Sequence, residues 1–404
     1  MEFPNQNNPL RPSVLARDVV AAWSNGSIPG SVAGAELQTV DIPIPTDENG
    51  VSNPYLGVYE FLTSQAAGGT SAATLVWLPS YADIVSLFKY KLLAPLDRWL
   101  RADGQGDFDA FAEQARPLVR MRGQTWGLPL AISPAVLMHN ASRFRMTNVA
   151  PPTAAWTWQD FIEAGKHLTE DTNDDGAPDR WGFIGNWKFP DWLPFLLQEG
   201  GEVVDLDTGR IGMEETAAIN ALATWDELGR VHGILPYGPN VTEEELRGWS
   251  NVPHSAMRFS IFQKNLREGW QNVTPLPQGA GKTTPLSLEE VLAVPASESR
   301  DSAFEALVSL AHWIGERRVL PAVTAGWQYI EKADTSHFDL IFAKPIQETA
   351  LQGLANAKAS HAASSSNISY HLFQQVTLPL ARGEVGVEQA AKQATNWLRG
   401  YLEE

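Results

Sequence analysis

The chain has 404 residues, more than one hydrophobic core usually serves, so two domains are expected. A net charge of −17, from 30 basic and 47 acidic residues, argues against nucleic acid or an anionic membrane surface as a partner. There is no cysteine, which excludes disulfides and thiolate metal sites, and no apolar run reaches the roughly 20 residues that span a bilayer.

In chain order, residues 13–23 read as a helix ended by Asn25-Gly26. Val40, Ile42 and Ile44 alternate with Asp41 and Pro43 as in a half-buried edge strand. A helix is expected over 58–65, then an apolar strand Leu75-Val76-Trp77-Leu78 and a helix over 81–90. This alternation points to an α/β lobe with a mostly parallel sheet. Next comes GQTWGLPLAISPAVLMHN, residues 123–140. Pro129 and Pro134 exclude a helix over its first half, and its apolar second half reads as a buried strand crossing from one lobe to another.

Beyond it, Thr157 with Asp160 and Thr242 with Glu245 form capping-box patterns. Ser302 with Glu305 does the same ahead of a helix carrying Leu307, Leu310, Ala311 and Ile314. A helix is expected over 216–229, a strand over 255–262, and further crossings over 288–294 and 319–329. Helices over 346–359 and 388–402 flank HAASSSNIS, whose composition reads as a solvated loop.

The 15 tryptophans are the chemical signature of the chain, since their flat faces suit ligands as well as cores. Trp225, Trp313 and Trp397 lie at helical spacing among apolar residues and read as core. Trp77, Ser80 and Tyr81 sit where a strand gives way to a helix, the place where α/β sheets bind ligands. Trp187, Asp191 and Trp192 follow a second apolar strand in the same manner, and Trp327 and Tyr329 follow the third crossing. The loop DTNDDGAPD offers Asp171, Asn173, Asp175 and Asp179 as oxygen ligands around a glycine, the start of a calcium-loop pattern. Its twelfth position is Gly182 instead of a bidentate glutamate, so an Asx-rich turn is the competing reading. QGAGKTT lacks the first glycine of a phosphate loop, Leu276 standing there, and is rejected. The histidines show no metal-ligand spacing, and no Gly-x-Ser-x-Gly elbow is present. The many carboxylates leave a glycosidase-like pair open as an alternative.

Three stretches in this order, LVWLPSYADIVSLFKYKLLAPLDRWL, GQTWGLPLAISPAVLMHNASRF and TWQDFIEAGKHLTEDTNDDGAPDRWGF, together with LARGEVGVEQAAKQATNWL near the C-terminus, carry a resemblance. The chain resembles the extracellular solute-binding proteins of family 1, the maltose-binding type that serves ABC sugar importers. Two departures stand out: MEFPNQNNPLRPS supplies no strand before the first helix, and Leu286-Ser287-Leu288-Glu289-Glu290 replaces a glycine-rich turn at the second crossing. The resemblance implies an α/β, two-lobe periplasmic-binding-protein-like fold with three interlobe crossings. It divides the chain into an N-terminal lobe of 1–130 plus 290–322 and a C-terminal lobe of 131–289 plus 323–404. It implies a receptor without chemistry of its own, monomeric, outside the cytoplasm with its targeting segment removed, and delivering a carbohydrate to ABC permease subunits. A polyol, glycerophosphodiester or amino-sugar is the alternative cargo. Trp126 and Ser133 would then lie on the cleft floor, with Asp191, Arg258 and Glu289 as polar contacts. No cofactor is expected beyond calcium at the acidic loop.

Overall fold

The structure, a computed structural model, describes residues 19–28, 45, 54–68, 75–79, 83–102, 114–185, 189–247, 255–262, 272–297, 301–317 and 344–403. The expected strand over 40–44 and the third crossing over 319–329 lie outside the described residues.

The chain is organised on two long strands. β4 (Leu128–His139) runs twelve residues, about 40 Å at ~3.3 Å per residue, and every residue in it is buried. β8 (Thr284–Ala293) lies antiparallel to it. Neither strand keeps one set of neighbours along its length. β4 pairs with β8 from Leu128 to Pro134, then from Ala135 to His139 with β6 (Ser255–Ile261) and, at its end, β7 (Asn272–Thr274). β8 pairs at its start with β9 (Ala357–Ala359) and at its end with β1 (Val76–Pro79). The seven-stranded sheet therefore has two halves, joined by β4 and β8.

Prolines inside a central strand are tolerated here for stated reasons. The register shifts on either side of Ala131 form an irregularity that accommodates Pro129. Pro134 stands at the handover: it lacks a donor, and its carbonyl accepts from Phe262 N at 2.8 Å, on the β6 side. The expectation of a mostly parallel sheet is corrected. Among the described strands only β8–β9 and β6 with β5 (Trp181–Phe183) pair in parallel, because strands that traverse both halves meet their neighbours head to tail.

The half built on β6 has an aromatic core. α5 (Trp158–Leu168) starts in the expected capping box of Thr157 and Asp160 and buries Phe161, Ala164, Gly165 and Leu168, one helical stripe. Phe161, Phe183 and Phe259 pack with ring centroids 4.6 to 5.5 Å apart. Gly182 carries no side chain because a Cβ there would collide with the Gly165 backbone. α6 (Leu193–Gln198), α7 (Thr216–Arg230) and α14 (Val387–Glu403) cover this core. Trp225 is fully buried in it, and Trp397 stacks between His371 and Tyr401, as the helical spacing led us to expect.

The half built on β1 is closed by α1 (Pro54–Gly68), α2 (Ile84–Lys89), α3 (Asp97–Ala102) and α9 (Asp301–Arg317). Val19, Trp23, Leu128, Leu130, Phe304 and Trp313 form a second core cluster on it. No helix among the described residues is long and apolar enough to cross a membrane.

Candidate functional site

The two halves of the sheet meet at a polar seam. Asp83, at the start of α2, belongs to one half. The turn after β9 enters α11 (His361–Ser364) and α12 (Ser366–Leu372), which belong to the other. Asp83 takes a left-handed backbone conformation (φ 46°), caps α2 by accepting from Ser86 N, and turns its second carboxylate oxygen across the seam. That oxygen accepts from Ser365 Oγ at 2.9 Å and from Asn367 N at 3.0 Å. The carboxylate is almost fully buried, and desolvation raises its pKa against the opposing pull of its hydrogen bonds to Asn367, Ser365 and Ser86. Ser365 in turn caps α12 through Ile368 N.

Beneath this contact, β8 supplies the floor. Leu288 N donates to Ser364 Oγ at 3.0 Å, and Ser287 Oγ donates to Glu289 at 2.9 Å. Glu290, buried, accepts from the Trp77 indole N–H at 2.7 Å. Ser133 on β4 lies directly opposite Ser287. The void between these groups, lined by Leu78, Ile84, Leu288, Glu289, Glu290 and Ser364, measures about 10 Å³, room for about one water. The described part of the seam is thus shut.

Of the residues singled out in the sequence, Trp77, Ser133 and Glu289 come together on three adjoining strands at the seam. Ser80, Tyr81, Trp187, Trp327 and Tyr329 lie outside the described residues. Trp126 is half-buried, with its indole N–H on the Met121 carbonyl at 3.0 Å and its ring tilted against Phe88. Arg258 is half-buried on β6, opposite Met138. Asp191 is buried and so close to Gly185 that no side chain fits there. Trp192 needs correction. It is wholly enclosed in the core at the start of α6, its N–H on Thr377 Oγ1, and offers no face to a ligand.

The Ser/Ala-rich patch is also corrected. Ala362, Ala363, Ser365, Ile368 and Ser369 are buried, not solvated. Small side chains let this segment approach β8 and Asp83, and their hydroxyls supply the polar contacts. Asp83, Ser364, Ser365 and Asn367 were missed as site residues. The signal available was a cap pattern, Ser365 three residues before Ile368 and Asp83 three before Ser86.

The acidic loop is held by hydrogen bonds among its own residues, with Asp171 Oδ1 left without one. Asp171 accepts from Gly176 N, Asn173 from Asp175 N, Asp175 from Ala177 N, and Asp179 from the Thr172 hydroxyl. Asp174 and Gly176 take positive φ, as a tight Asx-rich turn requires. No cluster of three acidic or histidine side chains able to hold a metal ion occurs among the described residues. The rejected phosphate-loop segment is a close approach of chains: Gly279 N donates to Gln198, and a Cβ on Gly281 would meet the Gln198 carbonyl.

Two sheet halves joined by long crossing strands, with a polar seam between them, define a two-lobe binding-protein fold. Solved structures agree. An ABC substrate-binding protein from Listeria monocytogenes in complex with cycloalternan is 17% identical, with 97% of this chain and 96% of that chain covered and a TM-score of 0.67. A cyclic alpha-maltosyl-1,6-maltose binding protein from Arthrobacter globiformis is 15% identical, with 96% of each covered and a TM-score of 0.70. The maltose/maltodextrin-binding domain from Bdellovibrio bacteriovorus, bound to maltotriose, is 18% identical, with 96% of this chain and 97% of that chain covered and a TM-score of 0.59. No curated protein sequence matches the chain. Residues 48–241 match the family model of bacterial extracellular solute-binding proteins.

Proposed function

We propose that the chain is the extracytoplasmic receptor of an ABC importer, holding a carbohydrate between its two lobes and closing over it by bending about β4 and β8. The observation that carries the reading is the handover in both crossing strands together with the Asp83 contact that bridges the halves they join. The family match and the sugar-bound neighbours of the same fold support it. The seam offers what a sugar needs: serine hydroxyls, carboxylates on Glu289 and Glu290, and the indole of Trp77 at its edge. In this reading its carboxylates bind hydroxyls and perform no chemistry. The protein works as a monomer and hands its cargo to membrane permease subunits.

The test is a thermal-shift and calorimetry panel of mono- and oligosaccharides, with polyols, amino-sugars and glycerophosphocholine as competitors. Saturable stabilisation by a sugar with a change in tryptophan fluorescence is expected. Stabilisation by a competitor alone, or turnover of a chromogenic glycoside that one carboxylate substitution abolishes, refutes the proposal.

A further inference from the structure

A second cavity, of about 390 Å³, lies on the other side of α11 and shares no lining residue with the seam void. Ser364, at one end of that single turn, faces the seam; His361, at the other end, lines the cavity. The walls carry opposite charge. Arg116 and Arg120 come from the turn and short strand that precede β4, while Glu202, Asp205 and Asp207 come from the segment after α6.

Some of these groups, Arg116 among them, are already engaged. Asp205 accepts from the Thr208 hydroxyl and from the amides of Asp207 and Thr208. Asp207 accepts from Gly123 N and lies 3.6 Å from Arg120 Nε. Arg120 also donates to the Gly123 carbonyl, which leaves part of its five-donor fork for a further acceptor. Two acceptors have no donor. Glu202 is half-buried without a hydrogen bond among the described residues, and desolvation raises its pKa against the pull of the Lys358 and Arg210 charges. His361 is 5% exposed, and its Nε2 has no partner. Burial holds its pKa at about 4, so the ring is neutral at physiological pH. Its one hydrogen bond goes to the Pro117 carbonyl, which leaves Nε2 as a bare acceptor. A buried acceptor without a donor is costly, and a ligand that supplies the donor recovers that cost.

We propose that this cavity is a second ligand site, taking a small zwitterion whose ammonium group meets Glu202 and His361 Nε2 and whose carboxylate meets Arg116 and Arg120. A lone cation would face both guanidinium groups, and a lone anion three carboxylates; a molecule carrying both charges a few carbons apart matches both walls. The volume lies within the ordinary range for small-molecule sites. The inference stands independently of which cargo occupies the interlobe cleft.

Calorimetry on the full chain tests it, in a buffer free of amines and carboxylates, with 4-aminobutanoate and β-alanine as probes and butylamine and butanoate as single-charge controls. Saturable binding of a zwitterion is expected, with the controls at least about tenfold weaker, the worth of one charge-assisted hydrogen bond. Glu202→Gln and His361→Gln should each weaken it about tenfold or more. Because Glu202 is half-exposed, its variant keeps the fold and carries the test if the His361 variant does not. No heat with either zwitterion up to about 10 mM overturns the proposal, since the sites it describes bind more tightly than that. Equal binding of butylamine overturns it as well, and so does zwitterion binding that survives the Glu202 substitution.

Discussion

Asp83→Ala is the sharpest perturbation of the seam, because one carboxylate both caps a helix and bridges the two sheet halves. Two effects separate. Loss of the cap and of a residue tolerant of φ 46° destabilises the fold in any lobe arrangement, by about 1–2 kcal/mol. Loss of the bonds from Ser365 Oγ and Asn367 N acts only on the closed arrangement. Hydrogen bonds to a charged group contribute about 1.5–3 kcal/mol each, and the raised pKa shows that burial offsets part of this, so about 1.5 kcal/mol for each is reasonable. Together they make about 3 kcal/mol, a shift of roughly 100-fold in the ratio of closed to open molecules. A ligand that binds the closed form should lose affinity by up to that factor, and the unliganded protein should show a larger radius of gyration in solution scattering. Asp83→Asn keeps the left-handed turn and one acceptor oxygen, so it should fall between the two. If Asp83→Ala lowers the melting temperature but leaves both the scattering and the affinity unchanged, the seam is packing and not a closure contact.

Other expectations follow from particular residues. His139 and His361 are held at about 4 by burial, against 6.5 for an exposed imidazole, so unfolding takes up protons between those values. Stability should fall as the pH drops from 6.5 toward 4, by up to about 3 kcal/mol for each ring. Asp83, with its pKa raised, has the opposite sign, contributing stability below pH 3.8 that is lost as the pH rises through its folded value. Urea midpoints that stay flat between pH 7 and 4.5 would sink this account. Arg143 is buried, with Glu170 at 2.6 Å and the Leu168 carbonyl at 2.6 Å. Glu170→Ala strands that guanidinium and should cost about 3 kcal/mol in denaturant melts, more than Arg143→Met, which removes the charge itself. Gly182→Ala places a methyl against the Gly165 backbone, which cannot yield as a flexible side chain would. A loss of about 2–3 kcal/mol is expected, and a neutral result would mean that α5 and β5 pack less closely than described.

Local chemistry was readable where one segment decides its own shape. The prolines and buried apolar run of 123–140 identified β4 as a strand between lobes, and the capping boxes at Thr157 and Thr242 formed as expected. Partner choice was not readable in this way. Alternating strands and helices suggested parallel pairing, yet nothing within β4 or β8 reveals that each serves two sets of neighbours. Trp192 shows the limit of reading tryptophan by context: a Pro-rich strand end fits a ligand wall, but neighbours nearly two hundred residues away, at Thr377, enclose it. The Ser/Ala patch failed for the converse reason. Composition speaks for solvent, while small size and hydroxyls are equally what a close, hydrogen-bonded crossing needs. The rear cavity draws on positions 116, 202 and 361, and no spacing rule joins them.

The placement of Pro134 suits one strand to serve as both core and the hinge proposed above. A bend in the middle of a continuous ladder would break hydrogen bonds worth about 1 kcal/mol each and expose their partners. At Pro134 the ladder to β8 ends and the ladder to β6 begins, and the residue at the junction has no N–H to lose. Its ring is pressed by α10 (Lys344–Ala355) at Gly353, where a Cβ would collide with it, so the junction is held by packing that rotation can preserve. On β8 the paired residue is Leu286, the last residue that pairs with β9, and pairing with β1 begins four residues on, at Glu290. The β4 crossing thus changes partners at Pro134 and the β8 crossing just beyond Leu286, so a rotation of the kind proposed above would break few ladder bonds there.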